Sequence, residues 1–132
     1  MTDPIADLFA RIKNAWKIRK KKIEVPYSNI KIAILKILKE KNIIGHFKVS
    51  ARDSSIKRYF VVSLVYSEDG KAPIEDIKRV SKPGRRYYLQ YKDLKPVRQG
   101  YGFRIVSTSR GIMTDIESKK RKLGGEIICE IT

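Results

Sequence analysis

Thirty lysines and arginines stand against fourteen aspartates and glutamates in this chain, a formal net charge of +16 on 132 residues. That excess is the dominant fact of the sequence, and at 132 residues the chain cannot hold a large core. Hydrophobic residues at 42% and the lack of a low-complexity tract nonetheless place it among folded chains. Self-repulsion at this density is relieved most directly by a polyanion, so nucleic acid or an acidic membrane surface is the expected partner class.

The length suits one ordinary domain or two small ones. No apolar run approaches the roughly 20 residues that span a bilayer, and "MTDPIADLF" is acidic where a signal peptide is basic. A soluble, intracellular protein is therefore expected. Cys129 is the only cysteine, which excludes an intramolecular disulfide, and in "EIICEI" it reads as a small buried residue. With His46 the only histidine, no constellation for structural zinc exists, and no metal is expected.

Helical and strand periods alternate along the chain. "TDPIADLFARIKNAW" predicts a helix with Asp3 as cap, Pro4 at the first position and Asp7 at the positive end of the dipole. Ile5, Leu8, Phe9, Ile12 and Trp16 recur at helical spacing. The basic run "KIRKKK" (17–22) then leads into a short strand, "IEV". A second helix in "PYSNIKIAILKILKEKNIIG" is expected to be capped by Ser28 and stopped by Gly45. Ile30, Ile34, Ile37 and Leu38 should face inward, with Lys31, Lys36, Lys39 and Lys41 outside. "FKVSAR" and "KRYFVVSLVY" read as strands joined by a "DSS" turn, and "SEDG" closes the second.

The texture then changes, and the domain boundary is placed at residue 78. "VSKPGRRYYLQY" carries a Pro83-Gly84 turn of type II character followed by a strand. "KDLKPVRQGYG" is a basic connector, and "FRIVSTS" is a strand running into a polar loop. "TDIESKKRKLGG" is a helix with a Thr114–Glu117 capping box ending at Gly124, and "EIICEI" is a last strand. Residues 1–78 hold 17 basic and 9 acidic side chains, and residues 79–132 hold 13 and 5. Each excess is +8, so the shorter segment should carry the stronger field and the primary polyanion contact.

Catalysis finds no support. A phosphate-cradling Gly-rich loop ending in Lys-Ser/Thr is absent, His46 has no partner for acid–base work, and Asp115 and Glu117 are explained by capping and dipole. No enzyme, cofactor or small-molecule substrate is expected. Binding is better supported. Ser107, Thr108 and Ser109 offer short hydroxyls beside the Arg110 guanidinium, and Gly111 lets backbone approach a ligand. The bland alternative is a polar turn bonding its own backbone. "SKPGRRYYLQYK" interleaves Lys82, Arg85, Arg86 and Lys92 with Tyr87, Tyr88 and Tyr91, suited to neutralising phosphate and stacking. Strand alternation puts Tyr87 and Tyr88 on opposite faces, so one should meet RNA and the other the core. Lys119, Lys120, Arg121 and Lys122 form a cationic helix end, equally well explained by solvation and the dipole.

With these residues in hand, the chain resembles the family of ribosomal protein number eight of the small subunit, in its bacterial or organellar form. The resemblance rests on "MTDPIADLFARIKNA", "PYSNIK", "SKPGRRYY" and above all "GYGFRIVSTSRGIMTDIESKKRKLGGEIICEI", and it covers essentially the whole length. It implies two small α+β domains in contact: residues 1–78, two helices with a small antiparallel sheet, and residues 79–132, mostly β with one short helix. It further implies a primary rRNA-binding role at an irregular helix in the central domain of small-subunit rRNA, supporting platform assembly. The partners would be neighbouring small-subunit proteins five and twelve, and the location cytoplasmic and ribosome-bound, or an organellar matrix. Ser107, Thr108 and Ser109 are carried over as specificity-bearing, Gly124, Gly125 and Glu126 as part of the same RNA-facing surface, and Ser28, Asn29 and Lys31 as N-terminal backbone contacts.

Two other classes share the charge. A DNA-binding or chromosome-compacting protein would bind duplex DNA as well as structured RNA. A membrane-surface protein would need an exposed apolar face on a cationic helix, for which the first helix with "KIRKKK" is the only candidate.

Overall fold

The computed structural model describes residues 3–51 and 57–132, so the expected "DSS" turn lies outside the described residues. The chain divides into two units, Pro4–Pro73 and Asp3 with Ile74–Thr132. The division falls ahead of residue 78 because Ile77–Arg79 forms a strand paired with the last strand of the chain.

The first unit begins with α1 (Pro4–Lys17), whose stripe Ile5, Leu8, Phe9, Ile12 and Trp16 is buried as its spacing predicts, with Ala15 added. After it come β1 (Lys22–Pro26), α2 (Asn29–Glu40), β2 (Ile44–Ala51) and β3 (Arg58–Leu64). The three strands form an antiparallel sheet in the order β1-β3-β2. Alternation along the central strand sends Phe60, Val62 and Leu64 inward, against Val25, Ile34, Leu35 and Leu38 in the core. The "SEDG" turn forms, with the Gly70 amide donating to the Ser67 carbonyl.

Two expectations for α2 are corrected. Ile30 is exposed and Lys31 is buried, at 2% accessibility, because the Lys31 ammonium donates to the Pro26 carbonyl at 2.9 Å. That bond ties α2 to the end of β1, and burial lowers the Lys31 pKa from its ordinary value. The helix stops at Glu40 rather than at Gly45. Asn42 takes the left-handed conformation (φ 59°), the Ile43 amide bonds the Leu38 carbonyl, and Gly45 lies inside β2.

The second unit holds β4 (Ile77–Arg79), β5 (Tyr88–Leu89), 3-10 turns at Tyr91–Asp93 and Val97–Gly100, β6 (Phe103–Thr108), β7 (Gly111–Thr114), α3 (Asp115–Lys120) and β8 (Gly125–Ile131). The sheet runs β4-β8-β6-β7, with β5 also on β8, all antiparallel. Leu94, Val106 and Ile127 centre one core cluster, with Val80 and Leu89 against it. The fold class is α+β, with helices beside small antiparallel sheets.

Three details differ from expectation. The segment after β6 is not a loop running to a helix: Gly111–Thr114 turns back as β7, and Ser107 and Thr108 belong to β6. Thr114 does cap α3, its Oγ1 accepting from the Glu117 amide at 3.3 Å, but the helix ends at Lys120 rather than Gly124. Lys122 supplies the left-handed residue (φ 57°) and the Leu123 amide bonds the Ser118 carbonyl, which frees the glycine pair for another task.

Cys129 is fully buried in β8, and burial pushes its thiol up to about 12 from 9.0. An acid whose folded pKa is raised adds stability below its unfolded pKa and loses it as pH climbs toward the folded value. Stability should therefore begin to fall above pH 9.0 and keep falling toward about 12. At neutral pH an alkylating reagent should label Cys129 only as fast as the chain opens. Fast labelling of a folded sample, followed by mass spectrometry, would contradict this.

Candidate nucleic-acid interface

Antiparallel register brings distant parts of the sequence together. Tyr88 of β5 faces Glu126 of β8, Glu126 faces Ser107 of β6, and Ser107 faces Ile112 of β7. Residues directly opposite share a sheet face, so one row across four strands presents a phenol, a carboxylate, a hydroxyl and an aliphatic side chain. Tyr88 is 63% exposed, and Ser107 is partly exposed. Glu126 holds Arg86 by an ion pair of 3.0 Å, which places a guanidinium beside the row. The Glu126 carboxylate is thus an anchor for a cation.

The three hydroxyls do not play one part. Thr108 Oγ1 donates to the Gly111 carbonyl at 2.7 Å and accepts from the Arg110 amide at 3.1 Å, so this residue braces the turn, as the bland reading of a polar loop had it. Among the described residues, the Ser107 and Ser109 hydroxyls bond nothing in the chain. Ser109 and Arg110 form the exposed tip, and Gly111 follows at φ 114° with open space where a Cβ would sit.

Gly124 and Gly125 set the position of this edge. A Cβ on Gly125 would run into the Ser107 carbonyl oxygen and lie 2.9 Å from its carbon; one on Gly124 would run into the Leu89 carbonyl and lie 2.8 Å from Gln90 Cα. The pair lets the backbones of β5 and β6 close onto β8 from both sides. The resemblance implied that both glycines belong to an RNA-facing surface; their steric task depends on which strands are neighbours.

The basic turn is clasped at its neck. Buried Ser81 donates through Oγ to the Tyr87 carbonyl (3.1 Å) and accepts from the Tyr87 amide (2.8 Å), and the Lys82 and Arg85 peptides bond each other across Pro83-Gly84. Gly84 takes φ 84°, as a type II turn requires at its third position. Lys82, Arg85 and Arg86 all project from this turn into solvent. Ser81 carried no signal as a site residue. Tyr87 is 50% exposed, so the expectation that one of the two tyrosines joins the core is corrected: the Ser81 clasp holds the Tyr87 backbone and both rings remain outside. At the helix end, Lys119 Nζ donates to the Leu94 carbonyl (3.0 Å) and Arg121 pairs with Glu117 (2.8 Å), leaving Lys120 and Lys122.

In the first unit, Ser28 precedes α2 without a side-chain cap bond, and Asn29 accepts from the Tyr27 hydroxyl at 2.9 Å. The Arg58 guanidinium lies 3.9 Å over the Tyr27 ring, an exposed cation that sequence reasoning missed. Lys31, expected beside Ser28 and Asn29 as a backbone contact, spends its ammonium on Pro26.

The family model described as Ribosomal protein S8 matches residues 3–132. Relatives titled "Small ribosomal subunit protein uS8" are similar throughout. That of Rhodopirellula baltica is 40% identical over 132 residues, covering 100% of this chain and 99% of its own. Those of Mycoplasmopsis synoviae and Dictyoglomus thermophilum are 47% and 46% identical, each alignment covering 99% of this chain and 98% of the relative.

Proposed function

The chain belongs to the ribosomal protein S8 family, and from that premise we propose that it is a structural constituent of the small ribosomal subunit, not an enzyme, and a primary binder of that subunit's rRNA. The site proposed is an irregular helix in the central domain, where the protein supports platform assembly beside small-subunit proteins five and twelve. The observation that carries the reading is the row Tyr88–Glu126–Ser107 with two unspent serine hydroxyls at its edge.

Regular A-form RNA hides its base edges in a deep, narrow major groove, so a protein reads such a helix by shape and by bases displaced from the stack. Ser107 and Ser109 are short enough to reach base edges and ribose hydroxyls in a distorted segment. Tyr88 supplies a face for stacking or for packing on a sugar, Arg110 steadies a phosphate at the tip, and Gly111 keeps that tip open. Lys82, Arg85 and Arg86 set affinity through released counterions, without reading sequence. Gly124, Gly125 and Glu126 act by holding these groups in place, and Ser28 and Asn29 make backbone contacts from the first unit. Lys31 anchors that segment from within.

Crosslinking in cells, with sequencing of the attached RNA, tests the proposal. Enrichment of one central-domain helix of small-subunit rRNA is expected; crosslinks spread over unrelated transcripts would overturn it. Lys82→Ala should weaken cognate and non-specific RNA alike and flatten the salt dependence by about one unit of slope. An unchanged slope would remove Lys82 from the phosphate contacts.

A further inference from the structure

Ser81 is fully buried, yet the next residue begins a projection in which Lys82, Gly84, Arg85 and Arg86 are all exposed. Within that projection only Pro83 is even partly buried, so packing does little to hold its shape. Hydrogen bonds hold it instead.

Both ends of the projection meet one point of β8. The Ser81 amide donates to the Ile127 carbonyl (3.0 Å) where the chain leaves the sheet, and the Ile127 amide donates to the Tyr87 carbonyl (2.9 Å) where it returns. The Ser81 hydroxyl closes the third side of this triangle, donating to the Tyr87 carbonyl and accepting from the Tyr87 amide. Above the neck, the Lys82 and Arg85 peptides bond each other reciprocally at 3.0 and 2.9 Å. Arg86, between the two closures, is held through its side chain by Glu126. A small apolar residue would fill the same space as Ser81; the hydroxyl is needed for the two bonds to Tyr87.

Tyr87 joins two parts of the RNA-facing surface. Before it lie Lys82, Arg85 and Arg86, and directly after it comes Tyr88, which opens the row with Glu126 and Ser107. A clasp on Tyr87 therefore fixes the cations relative to the groups that read the helix.

We propose that Ser81 is a positioning residue for specific RNA recognition: without touching RNA, its hydroxyl holds Lys82, Arg85 and Arg86 in register with Tyr88 and Ser107, so that cations and readers engage one distorted helix together. The proposal rests on the rRNA-binding reading and names a buried residue on which its specificity depends. Regular duplex offers phosphates in every register, so binding by charge alone makes no such demand.

In filter binding at one salt concentration, Ser81→Ala should lose about tenfold in affinity for the irregular hairpin, what fixing the backbone of one further residue on binding would cost. Its affinity for a fully paired RNA should hardly change. Partial unfolding would weaken both RNAs equally, so an equal loss would overturn the proposal, as would an unchanged affinity for the hairpin. In a Lys82→Ala/Arg85→Ala background, which strips the turn of the charges to be positioned, the same serine replacement should cost little more. A full tenfold loss there would also overturn it. Hydrogen exchange on the RNA-free chain reads the clasp alone: the Lys82, Arg85 and Tyr87 amides should exchange about tenfold faster in Ser81→Ala, while β6 and β8 keep their protection. Protection at Lys82 and Arg85 that survives the replacement would contradict the proposal. So would faster exchange throughout β6 and β8, which would make Ser81 a support of the whole sheet. Equal affinity of the wild-type chain for the two RNAs would defeat the rRNA reading itself and leave the exchange result standing, so the two failures are distinguishable.

Discussion

Replacing Gly125 with alanine should destabilise the second unit by about 3 kcal/mol or more, the upper end of what overpacking costs, because the new methyl meets backbone and not a side chain that can rotate away. The Ser107 carbonyl it strikes is pinned in the β6–β8 ladder, so relief requires the strands to part. Against a total stability of roughly 5–15 kcal/mol, that opens the edge carrying Ser107 and Ser109. The expected result is a lower denaturation midpoint together with loss of discrimination between RNAs. Gly111→Ala is the contrast. Its Cβ meets nothing within 4 Å, so only backbone strain of about 1–3 kcal/mol is expected. Equal midpoints for wild type and Gly125→Ala in chemical denaturation would show that strand contact at Gly125 is looser than described.

The joint substitution Ser107→Ala/Ser109→Ala should cut affinity for the irregular hairpin by about tenfold or somewhat more, the sum of two hydrogen bonds worth ~0.5–1.5 kcal/mol each. Affinity for a regular duplex should hardly change, since charge supplies that binding. Neither hydroxyl bonds within the chain, so stability should be unaffected. Thr108→Ala should behave differently, weakening the turn by freeing the Arg110 amide and Gly111 carbonyl, with a measurable fall in stability. If Thr108→Ala and the serine pair gave the same profile in filter binding and in thermal melts, the division of labour among the three hydroxyls would be wrong.

Local periodicity made much of the fold legible. The stripe of α1 follows from spacing alone, and alternation in "RYFVVSL" gives the inward face of β3. α2 was misread because a lysine was assigned outward by its charge: Lys31 lies at i, i+3, i+4 and i+7 with Ile34, Leu35 and Leu38 on the buried face, and only the Pro26 carbonyl five residues back lets its ammonium stay there. β7 was missed because four residues next to a strong helix cap carry little strand signal. The strained turn at Arg98 and Gln99, with φ of 45° and 57°, has no glycine at either position to announce it.

At the candidate site, residue chemistry was readable and placement was not. "STSRG" and "SKPGRRYY" pointed to RNA through their functional groups. That Tyr88, Glu126 and Ser107 share one row depends on pairing between segments up to 38 residues apart, which no local pattern encodes. The same holds for the glycine pair and for the Ser81 clasp, whose meaning appears only once the neighbouring strands are known.

The central claim is that fixed serine hydroxyls, placed by close-packed strands, let a cationic chain choose a distorted RNA helix over a regular one. The ratio of dissociation constants for the irregular hairpin and for a fully paired RNA of equal length, at one salt concentration, measures it directly. The wild-type chain should favour the hairpin, and Ser107→Ala/Ser109→Ala should reduce that ratio by about tenfold. Equal affinity of the wild-type chain for the two RNAs would contradict the account.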